Sequence, residues 1–246
     1  MTEQPEVIYL KDYQVPAFLI DQTELRFELE TGRTVVSAKL TMRRNPKCQQ
    51  KPQGLELQGD KALKLCRVAL NEQVLNDSDY QRFEDGLRIV AVPDAFVLET
   101  VVEIDPDQNT ALEGLYRSEG VYCTQCEAEG FRRITFYLDR PDVMSVFSTT
   151  IEADKSAYPV LLSNGNPVAT GDADNDRHWI TWEDPHPKPA YLFALVGGDL
   201  KMIEDHYTTS GGREVALRIY AADKDLDKLD YAMPSLIHAM RWDEQV

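Results

Sequence analysis

From Leu25 to Met42 apolar and polar residues alternate: Leu25, Phe27 and Leu29 stand between Arg26, Glu28 and Glu30, and Val36, Ala38, Leu40 and Met42 repeat the pattern. A period of two places every second side chain on one face of an extended chain, whereas a helix spaces its apolar residues three and four apart. Thr31-Gly32 between the runs carries turn chemistry, so the stretch predicts a hairpin of two half-buried strands.

The same signals recur more loosely along the chain. Ala62 to Leu70 and Val74-Leu75 flank the turn residues Asn71-Glu72-Gln73, Asp85-Gly86 separates Tyr80 to Phe83 from Leu87 to Val90, and Phe96 to Ile104 reads as a further strand. Pro141 to Phe147 fits a short helix, because proline is tolerated in a first turn and Asp142 favours the positive helix end. Ser148 to Asp154 and Tyr158 to Leu162 then read as strands, with Asn164-Gly165 as a hairpin signal. His178 to Trp182 alternates aromatic and polar residues until Pro185, Pro187 and Pro189 interrupt it, and Tyr191 to Val196 is an apolar run of one buried strand's length. Short strands at this spacing imply a mainly β fold, an antiparallel sandwich or a saddle-shaped sheet.

Gly197-Gly198-Asp199 marks the best domain boundary, dividing the chain into residues 1–199 and 200–246. Beyond it, Lys201 to Thr209 and Arg213 to Tyr220 form one more hairpin around Ser210-Gly211-Gly212. Leu226 to Trp242 has helical apolar spacing, and Pro234 fits only if the helix proper starts near Met233. No glycine cap follows it and nothing later in the chain covers its apolar face, so the chain is expected to be a fragment.

Charge narrows the function classes. The 246 residues hold 42 Asp and Glu against 26 Lys and Arg, a formal charge of −16, and no dense basic stretch, so nucleic acid is not expected as a partner. Met1 to Glu6 lacks the basic and apolar regions of a signal peptide, and no apolar run reaches membrane-spanning length. A cytoplasmic protein without membrane contact is expected, its four cysteines reduced.

Chemistry-bearing motifs are few. Cys123-Thr124-Gln125-Cys126-Glu127-Ala128-Glu129-Gly130 is too polar for a core strand and reads as a loop. Its cysteine pair invites a zinc or redox reading, yet Cys48 and Cys66 make no second close pair and no βαβ context surrounds it; two reduced thiols flanking a loop is the plainer reading. Glu127 and Glu129 fit a solvated acidic loop or acid–base work. The histidines His178, His186, His206 and His238 are scattered, without the His-Glu-x-x-His spacing of a zinc helix, and there is neither a nucleophile elbow nor a phosphate loop. On these grounds alone a complete β-sandwich binding module stays open.

Six stretches together resemble a known family: Asn109 to Tyr116, Cys123 to Gly130, Phe131 to Asp142, Leu162 to Asn166, Lys188 to Val196 and Arg213 to Leu217. Essentially the whole chain is similar to the N-terminal part of the aminopeptidase N family of zinc metallo-aminopeptidases, closest to its proteobacterial cytoplasmic branch. The resemblance implies that residues 1–199 are an N-terminal β domain, and that residues 200–246 are the truncated start, a hairpin and a helix, of a thermolysin-like α/β catalytic domain. It implies zinc and peptide substrates for the full-length parent. For this chain it implies an unmet partner in the missing catalytic domain, no catalytic residue, no bound metal and no activity alone. The site residues it implies are Gln125 and Glu127, which would receive the substrate's free α-ammonium, and Ala128, which in relatives follows a cis peptide bond. An ammonium offers three N–H donors, and a carboxylate with an amide carbonyl offers acceptors to match.

Overall fold

A computed structural model describes residues 9–246; the Met1 to Glu6 stretch bearing on export lies outside the described residues. The alternating segment forms β1 (Phe18–Glu30) and β2 (Arg33–Arg44), paired antiparallel across the Thr31-Gly32 turn, with Gly32 at φ +71°. Leu25, Phe27, Leu29, Val36, Ala38, Leu40 and Met42 are all buried, as the period of two requires. Then come β3 (Leu55–Gln58), β4 (Lys64–Leu70), β5 (Gln73–Val74), β6 (Tyr80–Phe83), β7 (Gly86–Ile89) and β8 (Ala95–Ile104). The short pair β9 (Gly114–Ser118) and β10 (Val121–Gln125) precedes β11 (Met144–Asp154), β12 (Val160–Ser163), β13 (Asn166–Ala173), β14 (Arg177–Pro189) and β15 (Leu195–Gly198). The chain ends in β16 (Lys201–Thr208), β17 (Glu214–Ala221) and the helix α1 (Ala232–Asp243).

The expected mainly β fold is present, as one large sheet and smaller ones. Eight strands run in the order β13-β14-β11-β1-β2-β8-β4-β5, four in the order β12-β15-β10-β9, and three in the order β3-β7-β6. One continuous core joins them: Phe27, Leu40 and Leu98 of the large sheet, Leu57 and Ile89 of the three-stranded sheet, and Tyr122, Leu161 and Leu195 of the four-stranded sheet share it. The large sheet therefore presents one face to both small sheets, the two-layer solution that lets each bury an apolar side.

Several local expectations fail for identifiable reasons. Pro141 to Phe147 is a turn leading into β11, not a helix: Val143, Ser145, Phe147, Thr149 and Ile151 are buried in alternation, and that period outweighs the proline and aspartate signals. β11 pairs with β1 in parallel, Gln22 opposite Val146 through Glu28 opposite Glu152, the one parallel ladder among the described residues. Asn164-Gly165 turns a corner between sheets rather than closing a hairpin, since β12 pairs with β15 while β13 pairs with β14. The Asn164 side chain holds that corner, accepting from Ala194 N–H at 2.7 Å and donating to Leu192 at 3.1 Å.

The prolines do not end β14, which continues to Pro189 against β11. Its other neighbour, β13, stops at Asn166 opposite Glu183, so from there on one edge is open and alternate residues can lack a donor at no cost. Tyr191 to Val196 is split between a 3-10 turn at Ala190–Leu192 and β15. The terminal helix starts at Ala232, where Pro234 falls in its first turn.

Residues after Leu200 make their own small core. Tyr207, Leu217 and Met233 are buried together, with Ile203, Val215, Ile219, Ile237 and Met240 packed around them. Across the described residues no helix is long and apolar enough to cross a membrane.

Candidate functional site

The polar stretch begins inside a strand, because Tyr122, Thr124 and their neighbours are needed by the sheet. Tyr122 is fully buried against Tyr158, ring centroids 5.0 Å apart, and donates its hydroxyl to Glu30 C=O at 3.0 Å. Burial raises its pKa, keeping it a neutral donor. Thr124 Oγ1 accepts from Leu195 N–H at 2.9 Å, fixing β10 onto β15. Gln125 then stands at the end of β10, exposed, opposite Gly114 of β9.

The loop beyond is closed at its base. Cys126 is buried, its C=O accepts from Gly130 N–H at 2.9 Å, and burial, helped by nearby Asp139, pushes its thiol up to about 12. Gly130 has no room for a side chain: a Cβ would stand 2.5 Å from Gln125 O and 3.0 Å from Cys126 Cα. At Gly114, φ +73°, a Cβ would stand 2.7 Å from Arg133 Cβ and 3.1 Å from Gly130 O. Phe131 follows, fully buried, with edge contacts to Tyr137 at 4.8 Å and Phe193 at 5.3 Å.

Arg132 lies under the loop. Its Nε–H and its backbone N–H both go to Asp139 Oδ2, at 2.9 and 3.1 Å, and Nη2 donates to Asp139 C=O at 3.1 Å. Nη1 lies 3.2 Å from Glu129 Oε2 in the loop itself. Burial pushes the Asp139 carboxyl up and the Arg132 bonds work against that shift.

Between these fixed points lie the two expected residues. Gln125 Nε2 donates to Glu127 C=O at 3.0 Å, and this bond fixes the amide's orientation, leaving Oε1 as an open acceptor. The Glu127 carboxylate is exposed and accepts no hydrogen bond from any described residue. The Glu127–Ala128 peptide bond is cis, as the resemblance implies. A rigid stem thus presents a free carboxylate and an oriented amide oxygen, acceptors suited to a cation with several N–H donors.

The other candidates separate from this pair. Cys123 is half-buried on β10 while Cys126 is buried, and both are free thiols, as are Cys48 and Cys66. Glu129 is turned to Arg132, its Oε2 3.2 Å from Nη1. His178 Nε2 rests 2.8 Å from Tyr158 C=O on β14. Among the described residues no group of three or more His, Cys, Asp or Glu side chains is placed to hold a metal ion. The sequence reading missed Arg132, Asp139, Gly114 and Gly130; a glycine closing a polar loop just before an aromatic was the one available signal.

Residues 91–192 match the family model described as Peptidase M1 N-terminal domain. Its whole length aligns with aminopeptidase N of Escherichia coli, 48% identical over 245 residues, and nearly its whole length with aminopeptidase N of Caulobacter vibrioides, 50% identical over 244. The chain spans about 28% of the length of these curated relatives. The crystal structure of Legionella pneumophila aminopeptidase A in complex with aspartic acid superposes with a TM-score of 0.91 at 34% identity, covering 96% of this chain and 28% of that one. An M1 zinc metallopeptidase from Deinococcus radiodurans shares the fold, with a TM-score of 0.70 at 14% identity over 84% of this chain and 48% of its own.

Proposed function

We propose that this chain is the amine-anchoring part of a zinc-dependent aminopeptidase that removes N-terminal residues from peptides. In this reading Glu127 and Gln125 receive the α-ammonium of the substrate, and Ala128 lines the same edge. The observation that carries it is the Gln125 amide, turned by its bond to Glu127 C=O so that an acceptor oxygen stands beside a carboxylate with no partner among the described residues. The similarity to aminopeptidase N over the whole chain supports it, as does the amino acid held by the Legionella relative, which carries an α-ammonium. Such an anchor would register the first peptide bond at a fixed distance from the reacting groups, converting binding into orientation.

Zinc, when bound by the complete enzyme, would supply Lewis acidity and an activated water. The described residues include no ligand set for it, so this chain's part is to hold, orient and neutralise the amine. Residues 1–199 make the N-terminal domain in this proposal and residues 200–246 begin the catalytic one, in keeping with the separate core of Tyr207, Leu217 and Met233. A cytoplasmic setting fits four unpaired cysteines.

The test is kinetic, in the full-length enzyme. Losing a charge-assisted hydrogen bond to the ammonium is worth about 1.5–3 kcal/mol, so Glu127→Ala should lower kcat/KM roughly ten- to hundredfold. Unchanged kinetics would refute the anchoring role. The 246-residue chain alone should leave an aminoacyl chromogenic substrate intact, and hydrolysis by it would overturn the division of labour proposed.

A further inference from the structure

A carboxylate that is to hold an ammonium must itself be held, and Glu127 has no side-chain partner among the described residues to do so. What fixes its height is the loop backbone from Cys126 to Gly130. One end of that loop is anchored by the buried Cys126 and its bond to Gly130. The other end meets Arg132, whose guanidinium reaches back three residues to Glu129 while two of its other donors and its own backbone N–H are committed to Asp139.

The arrangement has a direction. Asp139 is 4% exposed, and its backbone N–H is taken by Gln58 Oε1 at 3.1 Å, so it belongs to the core. A guanidinium that gives its Nε–H to this buried carboxylate and an Nη2 proton to the C=O of the same residue is left a single orientation. An exposed pair such as Arg132 with Glu129 ordinarily contributes little, because two flexible side chains must be ordered. Here the arginine is already ordered by Asp139, and only Glu129 loses freedom.

We propose that Arg132, locked by Asp139, is a positioning residue that holds the Glu127 carboxylate in place through Glu129. The proposal rests on the amine-anchoring reading above. Lysine at position 132 keeps the charge but has no Nε–H or fork with which to bridge Asp139 and Glu129 together.

The test is a cycle in the full-length aminopeptidase. Arg132→Lys, Glu129→Gln and Glu127→Ala are made singly, and the first two are repeated in the Glu127→Ala background. Two inhibitors separate the roles: leucine, which carries an α-ammonium, and 4-methylpentanoate, the same skeleton without it. Loss of a positioned charge contact should weaken leucine about tenfold in Arg132→Lys and severalfold in Glu129→Gln, and should leave 4-methylpentanoate within about twofold. In the Glu127→Ala background neither substitution should weaken leucine further, because the group they position is gone. Equal weakening of both inhibitors, or the same loss in both backgrounds, would make Arg132 merely structural and overturn the proposal. Glu129→Gln, at a 67% exposed side chain, keeps the test valid if Arg132→Lys folds poorly. An unaffected Glu127→Ala would instead overturn the anchoring reading itself.

Discussion

Glu103 on β8 accepts from the Lys64 ammonium at 2.7 Å and from the Arg33 guanidinium at 3.0 Å, and these two bonds hold its carboxyl down to about 2. A carboxyl depressed in the folded state favours folding above its ordinary value near 4.5 and loses that contribution as pH falls towards about 2. Glu103→Gln should therefore lower the melting temperature somewhat at neutral pH, with the gap to the parent closing as pH falls from about 4.5 towards about 2. Cys126 gives the opposite sign: with its thiol pushed up to about 12 and its side chain buried, it should resist iodoacetamide at neutral pH while exposed Cys66 reacts. Mass spectrometry after native alkylation checks this, and early labelling of Cys126 would contradict the burial. At this scale the sequence was partly legible. The residue types at Gln125 and Glu127 match an ammonium, and the resemblance pointed to them; which way the Gln125 amide faces depends on one bond to a main-chain oxygen, and no residue pattern reveals that.

Among the elements, the loop between β10 and Phe131 depends most on absent atoms. Adding a methyl group in Gly130→Ala would drive it against Gln125 O and Cys126 Cα, at a cost of about 1–3 kcal/mol from overpacking. Chemical denaturation measures that cost, and no change would mean the loop has slack. Phe131 beneath it should be dearer to remove, about 3–5 kcal/mol for Phe131→Ala, since its ring meets Tyr137, Phe147 and Phe193. Strands were read well where alternation was long, as in β1, β2 and β8, because burial on one face imposes the period directly. Reading failed where two local signals competed. Pro141 and Asp142 imitate a helix start, yet the buried set Val143, Ser145 and Phe147 belongs to a strand, and the tertiary partner β1 decides. Asn164-Gly165 supplies turn chemistry faithfully, but whether a turn closes a hairpin or passes between sheets depends on distant strands.

Over the whole molecule the buried apolar residues fall into two clusters of unequal size. The β core gathers residues from Phe18 to Leu195, whereas β16, β17 and α1 enclose only Tyr207, Leu217 and Met233 as buried apolar residues. Amides of β16 and β17 should exchange with solvent well before those of β1 and β2 in this chain, as a small core opens at lower free energy than a large one. Hydrogen exchange read by mass spectrometry tests it, and simultaneous exchange would show one cooperative unit. The parallel ladder between β1 and β11 has a separate consequence, for a ribosome. β2 can pair with β1 as soon as both have emerged, but the opposite edge of β1, Gln22 to Glu28, waits for Val146 to Glu152. More than a hundred residues must be synthesised while that edge stays unpaired. A nascent chain stalled before Met144 would carry an open template for strands of its neighbours, and chaperone capture should end when β11 arrives.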